Sequence, residues 1–222
     1  MKISLRTSTR YKISTSGRPS QSCIGSGEDF VRVLFEMFFR ALMIISGVLT
    51  VTQAKHIKGI QIKNRGMEKL WVEMTDEDGF YLPSGQLASI VVEDKWTGRI
   101  RAHPEECGKK TCNLPYTEAV LRFEGEGNED RYYVSVIEGF NRPIKIQPTS
   151  HERACKPALC HANINHHCPR THQSTNSQGA VVACKTIPEL FQRLCPQAIT
   201  AEADIPLNML GCRSNTYLIL IG

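Results

Sequence analysis

The sequence predicts an all-β domain, a sandwich or a barrel, carried behind a leader that is not part of the fold. Three observations lead there. The chain contains several short runs rich in β-formers. Clusters of Gly, Pro, Asn and Asp separate them. And 41% of the 222 residues are hydrophobic, enough for a core and too many for wholesale disorder.

In chain order, IKGIQIKN at 57–64 alternates apolar and polar residues, the period of a half-buried strand. LWVEM at 70–74 and QLASIVVE at 86–93 are short and β-rich, and WTGRIRA at 96–102 carries Gly98 in mid-run, a bulge or bend. YYVSVI at 132–137 and PIKIQP at 143–148 form the clearest pair, with Gly139, Phe140 and Asn141 between them as a turn. NTYLILIG at 215–222 is an apolar strand. Turn signals stand at Asp78-Gly79, at Pro83-Ser84-Gly85 and from Gly125 to Asn128. One helix is expected, in IPELFQRLC at 187–195: Leu190, Phe191 and Leu194 share a face, and Pro188 suits a first turn.

The net charge of +5 does not indicate a nucleic-acid partner once it is divided along the chain. Residues 1–54 carry net +4 and residues 55–222 net +1, so the body lacks the basic excess such a partner requires. Residues 38–54 place Arg40 before an eleven-residue apolar stretch, Ala41 to Val51, followed by Thr52, Gln53 and Ala54. That order is a secretory signal, expected at 37–54 with cleavage after Ala54. Residues 1–36 read as an unstructured leader or as an extension ahead of the true start at Met37. The stretch is too short to span a bilayer, and no stable membrane insertion is expected. The domain is then residues 55–222, expected to be extracellular and monomeric.

Eight cysteines fall in that body: Cys107, Cys112, Cys155, Cys160, Cys168, Cys184, Cys195 and Cys212. An even number in an exported domain implies disulfides, though spacing alone does not choose the pairing. The rival is a metal site, since Cys160-His161, His166-His167-Cys168 and His172 crowd together. No C-x-x-C pair occurs and export favours bridges, so neither metal nor other cofactor is expected.

Several blocks resemble the thaumatin-like family. YYVSVIEGFNRPIKIQPTS at 132–150 is similar to its YDVSLVDGFNLPM…PTS block. LPSGQLASIVVEDKWTGRI at 82–100, ALCHANINHHCP at 158–169, GAVVACK at 179–185 and LCPQAI at 194–199 follow in the family's order. The resemblance implies an antiparallel β-sandwich with a disulfide-rich loop region, here shortened. It implies the pairs Cys155–Cys212, Cys160–Cys195 and Cys168–Cys184, leaving Cys107–Cys112 as the fourth. The family's terminal bridge is missing at Arg65-Gly66 and Gly222, so the first and last strands are expected to rest on sheet pairing alone and to fray.

The resemblance also implies a cleft, lined in many members by an Arg, a Glu and three Asp, where some members bind or cleave β-1,3-glucan. Two of those acids align with Val120 and Tyr133. The other two align with Glu138 and Asp204, and Glu118 and Asp130 lie near the lost ones. No counterpart of the Arg is identified. Glycosidic cleavage requires two carboxylates, so a binder is expected rather than an enzyme, with no catalytic residue assigned. The expected partner is a β-glucan or fungal cell-wall polysaccharide, with Trp71 and Trp96 as candidate sugar platforms or core aromatics. The function expected is host defence or stress response. The alternatives are a weak endo-β-1,3-glucanase using Glu138 and Asp204, and a metal-responsive or structural protein using the histidines.

Overall fold

The computed structural model describes residues 56–105, 114–125 and 127–222. The expected leader, the signal segment 37–54 and the Cys107–Cys112 pair lie outside the described residues. The domain is a sandwich of two β-sheets. The strands are β1 (Ile57–Asn64), β2 (Leu70–Met74), β3 (Glu77–Leu82), β4 (Leu87–Glu93), β5 (Thr97–Pro104), β6 (Glu118–Arg122), β7 (Asp130–Ser135), β8 (Ile144–Pro148), β9 (Ala158–Cys160), β10 (Gln173–Thr175), β11 (Val181–Cys184), β12 (Leu210–Cys212) and β13 (Thr216–Ile221). The larger sheet runs β12-β7-β6-β5-β2-β3 and is antiparallel throughout. The smaller runs β4-β1-β13-β8-β9 and is antiparallel except where β1 and β13 pair in parallel. Strands β10 and β11 form a separate hairpin.

Period-two alternation builds the core. Ile60, Ile62, Ile144, Ile146, Tyr217, Ile219 and Ile221 point inward from the smaller sheet. Leu70, Val72, Ile100, Ala102, Ala119, Leu121, Tyr132 and Val134 meet them from the larger. Burying each Leu, Ile or Val contributes about 1.5–3 kcal/mol. The odd-numbered residues of β5 and the even-numbered ones of β6 face outward instead, which is what places the site described below.

The helix forms as α1 (Pro188–Leu194), with Pro188 in its first turn and Phe191 fully buried. A second, one-turn helix, α2 (Ile205–Asn208), follows. Below the sandwich, the segment from 155 to 212 is tied by disulfides Cys155–Cys212, Cys160–Cys195 and Cys168–Cys184. Each such bridge typically contributes about 2–4 kcal/mol, chiefly by restricting the unfolded chain.

Two local expectations are corrected. YYVSVI and PIKIQP are not a hairpin: β7 belongs to the larger sheet and β8 to the smaller. The chain leaves β7 when Val136 N–H donates to Ile199 O, and it crosses between sheets through Phe140, which bridges Cys184. Gly139 takes φ 109° there, with no room for a Cβ against Pro115. Asp78-Gly79 is not a turn but part of β3; the reversal is at Thr75-Asp76, with Asp76 at φ 61°. Gly79 is glycine because the Trp71 indole lies across it, 2.4 Å from where a Cβ would stand. The first and last strands, β1 and β13, pair with each other inside the smaller sheet. Both are interior strands, and their inward isoleucines are fully buried.

Candidate functional site

The outer face of the larger sheet carries a groove of about 480 Å³, lined by Trp71, Glu73, Glu77, Arg99, Arg101 and Glu118 among others. Register explains the gathering. Strand β5 presents Arg99, Arg101 and His103 outward; β2 brings Glu73 opposite Arg101, and Trp71 opposite His103. Strand β6 sets Val120 beside Arg99, and β7 sets Tyr133 beside Val120.

Glu118 is the buried acid of the groove, its side chain 5% exposed. Its carboxylate lies 3.5 Å from the Arg99 guanidinium and 4.0 Å from that of Arg101. Burial pushes its pKa up. The two arginines oppose that, and the charge of Glu138 adds to it. Glu73 faces the opposite balance. Partial burial works to raise its pKa, but hydrogen bonds and charge from Arg101 and His103 outweigh it and leave the pKa lowered. Arg101 Nε donates to one Glu73 oxygen at 2.6 Å, and the fully buried His103 meets the other at 3.2 Å. Both carboxylate oxygens are therefore engaged. Arg101 also stacks 4.7 Å above the Tyr116 ring, which fixes the guanidinium in place.

The four carboxylates singled out in the sequence separate. Glu118 faces the groove. Glu138 is exposed and close enough to raise the Glu118 pKa. Asp204 is occupied by its own backbone turn: its Oδ2 accepts from Thr200 Oγ1 at 2.9 Å and from Ala201 N at 3.0 Å. Asp130 lies on the inward face, fully buried, with Lys58 Nζ 2.8 Å away. Its place three residues before Tyr133 puts it on the opposite side of β7. Trp71 is 6% exposed, packed on Gly79 and edge-on to Tyr81, so it lines the groove without offering an open face. Trp96 packs against the core, its ring centroid 5.9 Å from that of Phe123.

The sequence reading singles out neither Arg99, Arg101 and Glu73 as groove residues nor His103 as the buried partner of Glu73. The alternation in TGRIRAH carries that signal: Gly98, Ile100 and Ala102 are buried, so the residues between them face out. For metal, Cys160 and Cys168 are committed to disulfides, and among the described residues no three His, Cys, Asp or Glu are grouped to hold an ion. Among the described residues, no helix is long and apolar enough to cross a membrane.

The thaumatin family model matches residues 64–193. Thaumatin-like protein 1 of Prunus persica is 31% identical, the match covering 64% of this chain and 77% of that protein. A glucan endo-1,3-beta-glucosidase of Prunus avium is 29% identical, over 75% of this chain and 82% of its own. Pathogenesis-related protein 5 of Arabidopsis thaliana is 30% identical, over 52% and 55%.

Proposed function

Because the chain belongs to the thaumatin family, we propose that it is a secreted, monomeric defence or stress protein whose outer groove binds a β-1,3-glucan without cleaving it. The observation that carries this reading is the state of the groove carboxylates. Cleavage requires an acid and a second carboxylate free to act as base or nucleophile. Glu118 has the raised pKa of an acid, but Glu73 has both oxygens engaged, Val120 and Tyr133 align with two of the family's acids, and Glu77, which lines the groove, and Glu138, which lies near Glu118, are solvent-exposed. What is left is a polar cleft with the Arg101 guanidinium held by Glu73 and Tyr116, the exposed Arg99 beside it and a buried carboxylate, a surface suited to sugar hydroxyls. Three disulfides suit an oxidising compartment.

The second reading, a weak endo-β-1,3-glucanase using Glu138 and Asp204, draws on the Prunus avium relative. Laminarin tests both. The expected result is saturable binding by calorimetry, no new reducing ends, and binding weakened about tenfold in Arg101→Ala and Glu118→Gln. Turnover abolished by Glu138→Gln would replace the binder with the enzyme. Absence of both heat and turnover would remove the glucan reading.

A further inference from the structure

The edges of the two sheets are not alike. Strands β9 and β12 are three residues long. Strand β3 carries Glu77 and Asp78, and its register against β2 is broken by a shift. Shortness, charge and irregularity are how natural edges avoid pairing with another chain. Strand β4 lacks these protections. It reads LASIVVE, without proline or lysine; its one charge, Glu93, is its last residue, and its pairing with β1 runs from Leu87 to Glu93 without a shift.

The phase of its hydrogen bonding is set at both ends. Asn64 N–H donates to Gln86 O at 3.1 Å, and Asp94 N–H donates to His56 O at 3.2 Å. Alternation in an antiparallel ladder then turns the backbone groups of Ala88, Ile90 and Val92 toward β1, and those of Leu87, Ser89 and Val91 toward the open edge. Among the described residues, nothing pairs with the N–H and C=O groups of these last three. Their side chains are exposed as well, Leu87 by 45% and Val91 by 63%, and Ile57 of β1 lies on the same face, 56% exposed. Ala88 and Ile90, on the inward face, are only partly buried at the margin of the core.

The strand is matched to itself. When two copies lie antiparallel with Ser89 opposite Ser89, Leu87 of each stands opposite Val91 of the other, and Ala88 opposite Ile90. The open backbone groups then exchange bonds at every odd-numbered position, and the exposed aliphatic side chains cover one another. Charge agrees with this orientation. At the Val91 end, Asp76, Glu77 and Glu93 line one hollow, with Lys95 the single base among them. At the Leu87 end, Lys63 is the neighbour on β1, and the exposed Arg65 follows it. Antiparallel pairing brings the acidic end of each copy to the basic end of the other, whereas parallel pairing brings like to like.

We propose that β4 is a self-association edge: the monomer of dilute solution pairs through it with a second copy as the protein is concentrated, and the two smaller sheets become one. The contact is isologous, so it closes at two copies. It does not rest on the glucan reading.

The test is sedimentation equilibrium of the whole protein from about 10 µM to about 1 mM, the range in which so small a contact forms. Hydrogen exchange at the Leu87, Ser89 and Val91 amides is read at both ends of that range. The expected result is a mass that rises from monomer toward dimer, with exchange at these three amides slowing severalfold as it does. Ser89→Pro removes the central donor without touching a bond to β1, and Val91→Lys puts a charge at an exposed edge position; each is expected to weaken the dimer about tenfold. Val91→Lys decides the matter if the proline variant is unfolded. A monomer throughout the range overturns the proposal. So does a dimer that neither variant weakens, which uses another surface. Slow exchange at the three amides already at the lowest concentration also overturns it, because another segment of the chain then covers the edge.

Discussion

Lys58, Asp130 and Tyr217 form a charged cluster between two otherwise apolar sheets. Lys58 Nζ donates to Asp130 at 2.8 Å and to Ser214 O at 2.9 Å, and the Tyr217 hydroxyl donates to the same carboxylate at 2.7 Å. Burial first, and Asp130 next, push the tyrosine pKa far up, so it stays a donor. Removing one partner of such a pair strands the other in low dielectric. Asp130→Ala is expected to lose roughly 3–5 kcal/mol in urea unfolding, while the double variant Lys58→Met, Asp130→Leu recovers most of it. The two groove glutamates make an opposed pair of pH predictions. Glu118 has a raised pKa, so folding favours its protonated form and stability falls as pH rises through the interval from its unfolded to its folded pKa. Glu118→Gln should therefore raise the melting temperature at pH 7 and leave it unchanged at acid pH. Glu73 has a lowered pKa, so its stabilisation is present above the unfolded value and lost as pH falls through the folded one. Glu73→Gln should lower the melting temperature at pH 7, with the difference vanishing in acid. Melting curves of both variants across pH check the signs.

At the scale of elements, register matters more than composition. Strands β1 and β13 exchange bonds in parallel from Gly59–Thr216 to Asn64–Ile221, and each has an antiparallel neighbour on its other side. Amide exchange should be slowest in Ile60, Ile62 and Ile219, and much faster in β3 and β12 at the edges of the larger sheet; rapid exchange in the two terminal strands would contradict the interior placement. Alternation made β1 legible in the sequence, and β-rich or apolar composition did the same for β2, β4 and β13, although β2 buries Leu70, Trp71 and Val72 in succession. It could not say which face of β7 meets the core, so Asp130 and Tyr133 were indistinguishable as groove candidates until the sheet was known. Strand β3 was hidden by Asp78-Gly79, where glycine serves the packing of Trp71 rather than a turn. The β7–β8 hairpin was misread because Gly139 and Asn141 look like turn residues. In the fold they hold a crossover: Asn141 Nδ2 donates to Ala102 O at 2.7 Å, and its Oδ1 accepts from Thr117 N at 3.1 Å.

Across the whole molecule, the sandwich and the disulfide-tied segment divide the work. The sheets supply the core, and the outer groove is a consequence of which side each β5 and β6 residue takes. The site was partly readable: Glu118 could be named from sequence, but its arginine partners sit on the preceding strand, β5, and face it only through the β5–β6 register. The parallel pairing of β1 with β13 has a further meaning for how the protein comes to exist. The smaller sheet consists of an early half, β4 with β1, and a later half, β8 with β9, and β13 is the strand between them. Until β13 is made, each half presents an open edge and the core has only one complete wall. Such non-local closure is slow and leaves strands open to wrong partners, so those edges stay exposed until β13 is in place.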